Sequence, residues 1–187
     1  MIGVAKEYDT NSAQNKGRKL VVSLYDVIGT LVIALSIFAL LFAFAIRIVT
    51  VDGSSMLPTF QDGDELLLSV TDHSYERGDI VVVDRYTEDP LIKRVIAVAG
   101  DTIAIDGAGC VYLNGKLLNE TYIQGETVLR DFSGSVEVPD GYLFVMGDNR
   151  TISKDSRSAS IGLVSEKDVI GKALYCVWPW QSIGKVN

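Results

Sequence analysis

Twenty consecutive residues, Val27 to Ile46, carry no charge and are built mostly from Leu, Ile, Val, Phe and Ala. As a helix, such a run matches the ~20 residues needed to cross a ~30 Å hydrocarbon core. A buried helix of a soluble protein is the alternative, but Asp26 and Arg47 bracket the stretch, and core helices seldom run so far without a polar interruption. Lys16, Arg18 and Lys19 precede the run and only Arg47 follows closely. The bias of basic residues toward the cytoplasmic flank then puts the N-terminus inside and everything after Arg47 outside. Ala43-Phe44-Ala45 has the form of a cleavage site for a removed secretory signal. Apolar regions of such signals span only ~7 to 15 residues, so the length favours an uncleaved anchor. The chain divides into a cytoplasmic segment 1–20, an anchor 21–47 and an extracytoplasmic domain 48–187.

Charge narrows the partners of that domain. Residues 1–20 hold four basic and two acidic side chains, whereas the chain from Ile48 onward holds 12 basic and 21 acidic ones. An acidic domain with no basic stripe repels phosphate backbones, which argues against nucleic acid and leaves the lipid bilayer as the partner of the anchor. His and Cys do not cluster at metal-ligand spacing, so neither metal nor cofactor is expected. Cys110 and Cys176 lie in what should be an oxidising compartment and could pair, but sequence alone does not establish the bond.

Beyond the anchor, helical periodicity gives way to short β-rich runs separated by turn formers. Gly78-Asp79 opens Ile80 to Arg85, Asp89-Pro90 precedes the run containing Lys93, and Gly100-Asp101 leads into Thr102 to Ile105. Asn114-Gly115 between Val111-Tyr112-Leu113 and Lys116-Leu117-Leu118 is a hairpin signal suited to a type I′ turn. Pro139-Asp140-Gly141 precedes Tyr142 to Met146, and Val169 to Val177 supplies a late strand. The fold class is mostly β, an antiparallel β-rich domain behind one N-terminal transmembrane helix.

Ser55 lies in Gly53-Ser54-Ser55-Met56-Leu57-Pro58-Thr59, eight residues past Arg47. A serine nucleophile needs a base, and the only histidine of the chain is His73. Lys93, within Leu91-Ile92-Lys93-Arg94-Val95-Ile96, is the natural candidate, because burial in an apolar run favours the neutral amine. Each residue has a plainer reading: serines in Gly/Pro-rich loops usually cap turns, and strand lysines usually reach solvent or blunt a sheet edge. A third segment, Gly147-Asp148-Asn149-Arg150-Thr151-Ile152-Ser153-Lys154-Asp155-Ser156-Arg157, would alone read as a polar loop with internal ion pairs.

Together these segments resemble the bacterial type I signal peptidases, in the single-anchor form of Gram-positive bacteria. The resemblance runs from about Val21 to Pro179 through Ser55 to Thr59, Gly78 to Val82, Lys93 to Asp101 and Gly147 to Arg157. It implies a Ser/Lys endopeptidase that removes signal peptides from exported preproteins after Ala-x-Ala-like sites. Ser55 would be the nucleophile, Lys93 the base and Ser153 the hydroxyl that orients the lysine. Asp155, Arg94, Asp148 and Arg157 would shape the site, and Met56, Ile92 and Val51 would line the substrate pockets. The Ser55 backbone N–H would serve the oxyanion; Gly53 stands where some relatives carry a second, hydroxyl donor. Ala97 and Ala99 replace the usual glycine and proline of the turn after Lys93.

Three other readings are weaker. Ser182-Ile183-Gly184-Lys185 matches the Ser-x-x-Lys of penicillin-binding enzymes, but no Ser-Asp-Asn or Lys-Thr-Gly follows. A self-cleaving repressor of the SOS type would carry a helix-turn-helix module in place of the anchor. A catalytically inactive anchored β-domain, acting as a binding or assembly factor, would have no need of filled catalytic positions.

Overall fold

The computed structural model describes residues 23–40, 43–86 and 88–186. The N-terminal segment 1–20 with its basic flank lies outside them, as does Asn187. The chain forms two units, up to Phe44 and from Ala45 onward. The first is a helix, α1 (Ser23–Ala45), of 23 residues. At 1.5 Å per residue it is about 34 Å long. Leu31, Ile33 and Phe38 all stand exposed on it, and a helix with apolar side chains on every side is suited to lipid rather than water. It is long and apolar enough to cross a membrane.

The second unit is built from short antiparallel strands: β1 (Ile46–Thr50), β2 (Glu65–Ser69), β3 (Ile80–Val83), β4 (Leu91–Ala97), β5 (Thr102–Ile105), β6 (Val111–Leu113), β7 (Lys116–Leu117), β8 (Ser135–Glu137), β9 (Tyr142–Met146), β10 (Val164–Ser165), β11 (Val169–Trp178) and β12 (Gly184–Lys185). The larger sheet runs β1-β2-β11-β3-β4-β9-β10, with β12 on β11, and the smaller runs β7-β6-β5-β8. Ile46, the last residue of the apolar stretch, is the first of β1 and pairs with Ser69 rather than closing the helix. Ile46-Arg47-Ile48-Val49-Thr50 is rich in β-branched side chains that fit a pleated surface.

The sequence-expected strands form where the turn residues bound them. Asn114 and Gly115 take φ of 53° and 76°, the left-handed pair that a type I′ turn requires, and so join β6 to β7. All four residues of β3 are buried, which marks a strand covered on both faces. One core cluster gathers Val51, Met56, Phe60, Leu66, Ile80, Val82 and Ile92. Another packs Ile103, Ile105, Val111 and Leu113 of the small sheet against Ile96, Phe144 and Met146 of the large one. A third cluster, with Val95, Leu143 and Val145, packs the other side, so β4 and β9 are held from two sides, and the polar segment 147–157 follows directly from β9. Cys110 and Cys176 are both free thiols.

Candidate active site

Lys93 and Arg94 are adjacent in β4, so their side chains leave opposite faces of the strand. Lys93 is 2% exposed, and its Nζ lies 2.9 Å from Ser55 Oγ and 2.7 Å from the Ile92 carbonyl oxygen. A neutral amine has two N–H donors and one lone pair. One donor satisfied on Ile92 O leaves the lone pair available to the serine hydroxyl. Burial brings the Lys93 amine down from 10.5 to about 8, against the pull of the Asp155 and Asp148 charges and with help from Arg157. An ordinary lysine is almost wholly protonated at neutral pH, whereas this one keeps an appreciable neutral fraction.

Ser153, expected to hold that amine, closes no well-formed hydrogen bond through its hydroxyl. It faces the Asp155 carboxylate loosely. The amine's hydrogen bonds run to Ser55 and to the main-chain oxygen of Ile92. Ser153 is packed against the end of β9. A Cβ at Gly147 would collide with the Ser153 hydroxyl and come 2.5 Å from the Ser55 carbonyl oxygen. Glycine at 147 therefore permits the close approach of the nucleophile turn to the 147–157 segment.

Arg94 pairs across the ladder with Met146 and with Ile80. Two residues beyond Met146 stands Asp148, and two before Ile80 stands Gly78. Arg94 donates to both Asp148 carboxylate oxygens at 2.9 and 2.7 Å and to Gly78 O at 2.9 Å. Thr59 Oγ1, in the nucleophile motif, donates to the same carboxylate, and the Arg94 guanidinium lies 4.2 Å from the Tyr122 ring centre. Arg157 grips Asp155 in the same forked way, at 2.8 and 2.7 Å, and neither side chain is exposed. Burial pushes the Asp155 carboxyl up, but the Arg157 guanidinium and the Gly147 N–H outweigh it and hold it below the ordinary carboxylate range.

The structure thus brings Ser55, Lys93, Ser153, Asp155, Arg94, Asp148 and Arg157 into one neighbourhood. Met56, Ile92 and Val51 share a single core cluster. They are packed on core neighbours and almost fully buried. Sequence reasoning passed over Asn149, which donates from its main chain to Ser55 O and from its side chain to Ser54 O. It also passed over Arg150, which is fully buried and forked onto Glu120. Both lie inside the polar segment already singled out, where their density among turn formers was the available signal. Glu120 gave none, being one acid among many in a loop.

A half-buried serine hydroxyl beside a buried, partly neutral amine is the arrangement of a serine hydrolase that works without histidine. The profile of the family described as signal peptidase, peptidase S26, matches residues 24–178. Signal peptidase I of Bacillus licheniformis is 35% identical, with 88% of this chain and 94% of the relative covered. Signal peptidase IB of Staphylococcus aureus is 31% identical over 84% of this chain and 91% of its own. A crystal structure of a signal peptidase I from Enterococcus faecalis is 27% identical, covers 52% of this chain and 95% of its own, and superposes with a TM-score of 0.43. The chain belongs to the signal peptidase family, peptidase S26.

Proposed function

We propose that this chain is a membrane-anchored serine endopeptidase that removes signal peptides from exported preproteins, with Ser55 as nucleophile and Lys93 as general base. The observation that carries the reading is the 2.9 Å approach of Lys93 Nζ to Ser55 Oγ in a setting that burial has made hospitable to the neutral amine. Ser55 Oγ attacks the scissile carbonyl as Lys93 takes its proton, and the Ser55 N–H receives the developing oxyanion. Lys93 then protonates the departing amine, and an ester remains on Ser55. Water, deprotonated by the same amine, hydrolyses it. Asp155, Arg157, Arg94 and Asp148 hold the loops in register, and Ser153 fills the space beside them without adding charge.

An extended peptide presents alternate side chains to one side, which gives the Ala-x-Ala spacing when the residues one and three before the cut are the ones accommodated. Met56, Ile92 and Val51, apolar and buried near the dyad, are assigned as the walls of the pockets for those two side chains, which suits a methyl group better than a bulky or charged one. Incubating the detergent-solubilised enzyme with a labelled preprotein, and reading the products by mass spectrometry, tests both activity and site. Leucine in place of either alanine slows cleavage by orders of magnitude, while changing the residue between them has little effect. Equal turnover of bulky and small residues would leave a protease but remove this substrate class.

The anchor spans the bilayer through α1, with residues 1–20 cytoplasmic and the β-domain on the far side, where translocated substrates emerge. Protease added to the outer face of intact spheroplasts degrades the domain after Arg47 and spares a tag at the N-terminus. The reverse pattern would separate the site from its substrates and sink the assignment of orientation.

A further inference from the structure

We infer that Asn149 is a positioning residue that aims the oxyanion donor at Ser55. The inference rests on the reading of Ser55 as nucleophile. Asn149 is buried. Its side-chain amide donates to Ser54 O at 3.1 Å, and its main-chain N–H donates to Ser55 O at 3.0 Å. A carbonyl oxygen can only accept, so the amide must turn its NH2 toward Ser54. The two bonds therefore hold both peptide planes that flank the nucleophile.

Peptide planarity makes the first of these bonds more than a tether. Ser54 C=O and Ser55 N–H belong to one rigid unit. The only cis bonds among the described residues precede Pro58 and Pro179. In a trans unit the N–H points opposite to the C=O, so fixing the Ser54 carbonyl fixes where the Ser55 N–H points. Among the described residues that N–H donates to no protein acceptor, which leaves it free for an incoming oxyanion. Accepting a hydrogen bond at the carbonyl also polarises the unit and strengthens its N–H as a donor.

Asn149 is itself held from behind. Gln124 N–H donates to Asp148 O at 2.8 Å, and Arg150 N–H donates to Gln124 O at 2.9 Å. The other donor to Ser54 O is the Leu57 N–H at 3.3 Å, at the long end of hydrogen-bond distances. Without the amide, the 54–55 plane is held only by that longer bond and can rock. Gly53 brings no hydroxyl to the site, so a misdirected Ser55 N–H has no side-chain donor at position 53 to cover for it.

Asn149→Ala and Asn149→Leu in the full-length, detergent-solubilised enzyme test this. Leucine keeps the volume and loses the donor, and the main-chain bond to Ser55 O survives both changes. Deleting an oxyanion donor outright costs about 10²- to 10³-fold in kcat. Misaiming one lowers kcat by about ten- to hundredfold, with KM within about twofold of the parent, because the ground-state carbonyl makes little use of the hole. The acidic limb of the pH profile stays in place, since neither variant touches the Lys93 amine. A kcat near the parent's in both variants, a loss confined to KM, or a displaced acidic limb would overturn the inference. Ser55→Ala run in parallel separates the two levels. Activity in Ser55→Ala would remove the nucleophile and this inference together, whereas an inactive Ser55→Ala beside fully active Asn149 variants removes this inference alone.

Discussion

Ser55→Ala and Lys93→Ala each lower kcat for preprotein cleavage by about 10⁴- to 10⁶-fold, because nucleophile and base act as a unit and neither retains much value alone. Lys93→Arg is as inactive, since a guanidinium stays protonated at any working pH. Ser54→Ala is mild: the structure uses Ser54 through its carbonyl oxygen, which alanine retains. Near-normal turnover in Ser55→Ala with loss in Ser54→Ala would reverse the choice between the adjacent serines. The parent enzyme carries the signature of the base in its pH dependence. With the Lys93 amine at about 8, the neutral, active form dominates above that pH. Below it, kcat/KM falls about tenfold per unit. Full activity maintained well below neutrality would exclude Lys93 as the base.

Local physics made much of the β-domain legible. Asn114-Gly115 specified its turn because only left-handed backbone closes a two-residue hairpin, and Ile80 to Val83 read as a strand because its run of apolar residues is covered on both faces. β2 escaped notice: Glu65-Leu66-Leu67-Leu68-Ser69 shows no period-two alternation, although its burial alternates. The apolar run extends one residue past α1, because an apolar isoleucine suits a spanning helix and a strand equally and Ile46 pairs with Ser69 in β1. At the site, Ser55 and Lys93 could be named from their residue types and a family resemblance. Their mutual distance could not be read, because it depends on β4 bringing residue 93 beside a turn 38 positions earlier. Asn149 was harder still. Its importance lies in which carbonyl it reaches, and asparagine in a turn-rich loop has a sufficient local explanation.

Arg157→Met should be the most destabilising single change at the site that leaves the dyad itself intact. It strands Asp155, a carboxylate with no exposure, and abandons the carbonyls of Val128 and Arg150 that the guanidinium now satisfies at 2.8 Å. Breaking one side of a buried pair costs about 3–5 kcal/mol, a fall in Tm of roughly 10 °C or more for a domain of this size. Combining it with Asp155→Asn should cost less than the two changes summed, because the stranded charge is gone. Acid titration of the parent gives the matching sign. The Asp155 carboxyl is held below its ordinary value of 3.8, so its stabilisation is present above about pH 4 and lost as pH falls through the depressed folded value. Asp155→Asn alone distinguishes scaffold from electrostatics. The Asp155 charge raises the Lys93 amine, so removing it moves the acidic limb of kcat/KM to lower pH even as the fold weakens. A destabilised variant with an unmoved limb would make Asp155 a structural residue only, and the tuning of the base would then rest on burial with the Asp148 and Arg157 charges.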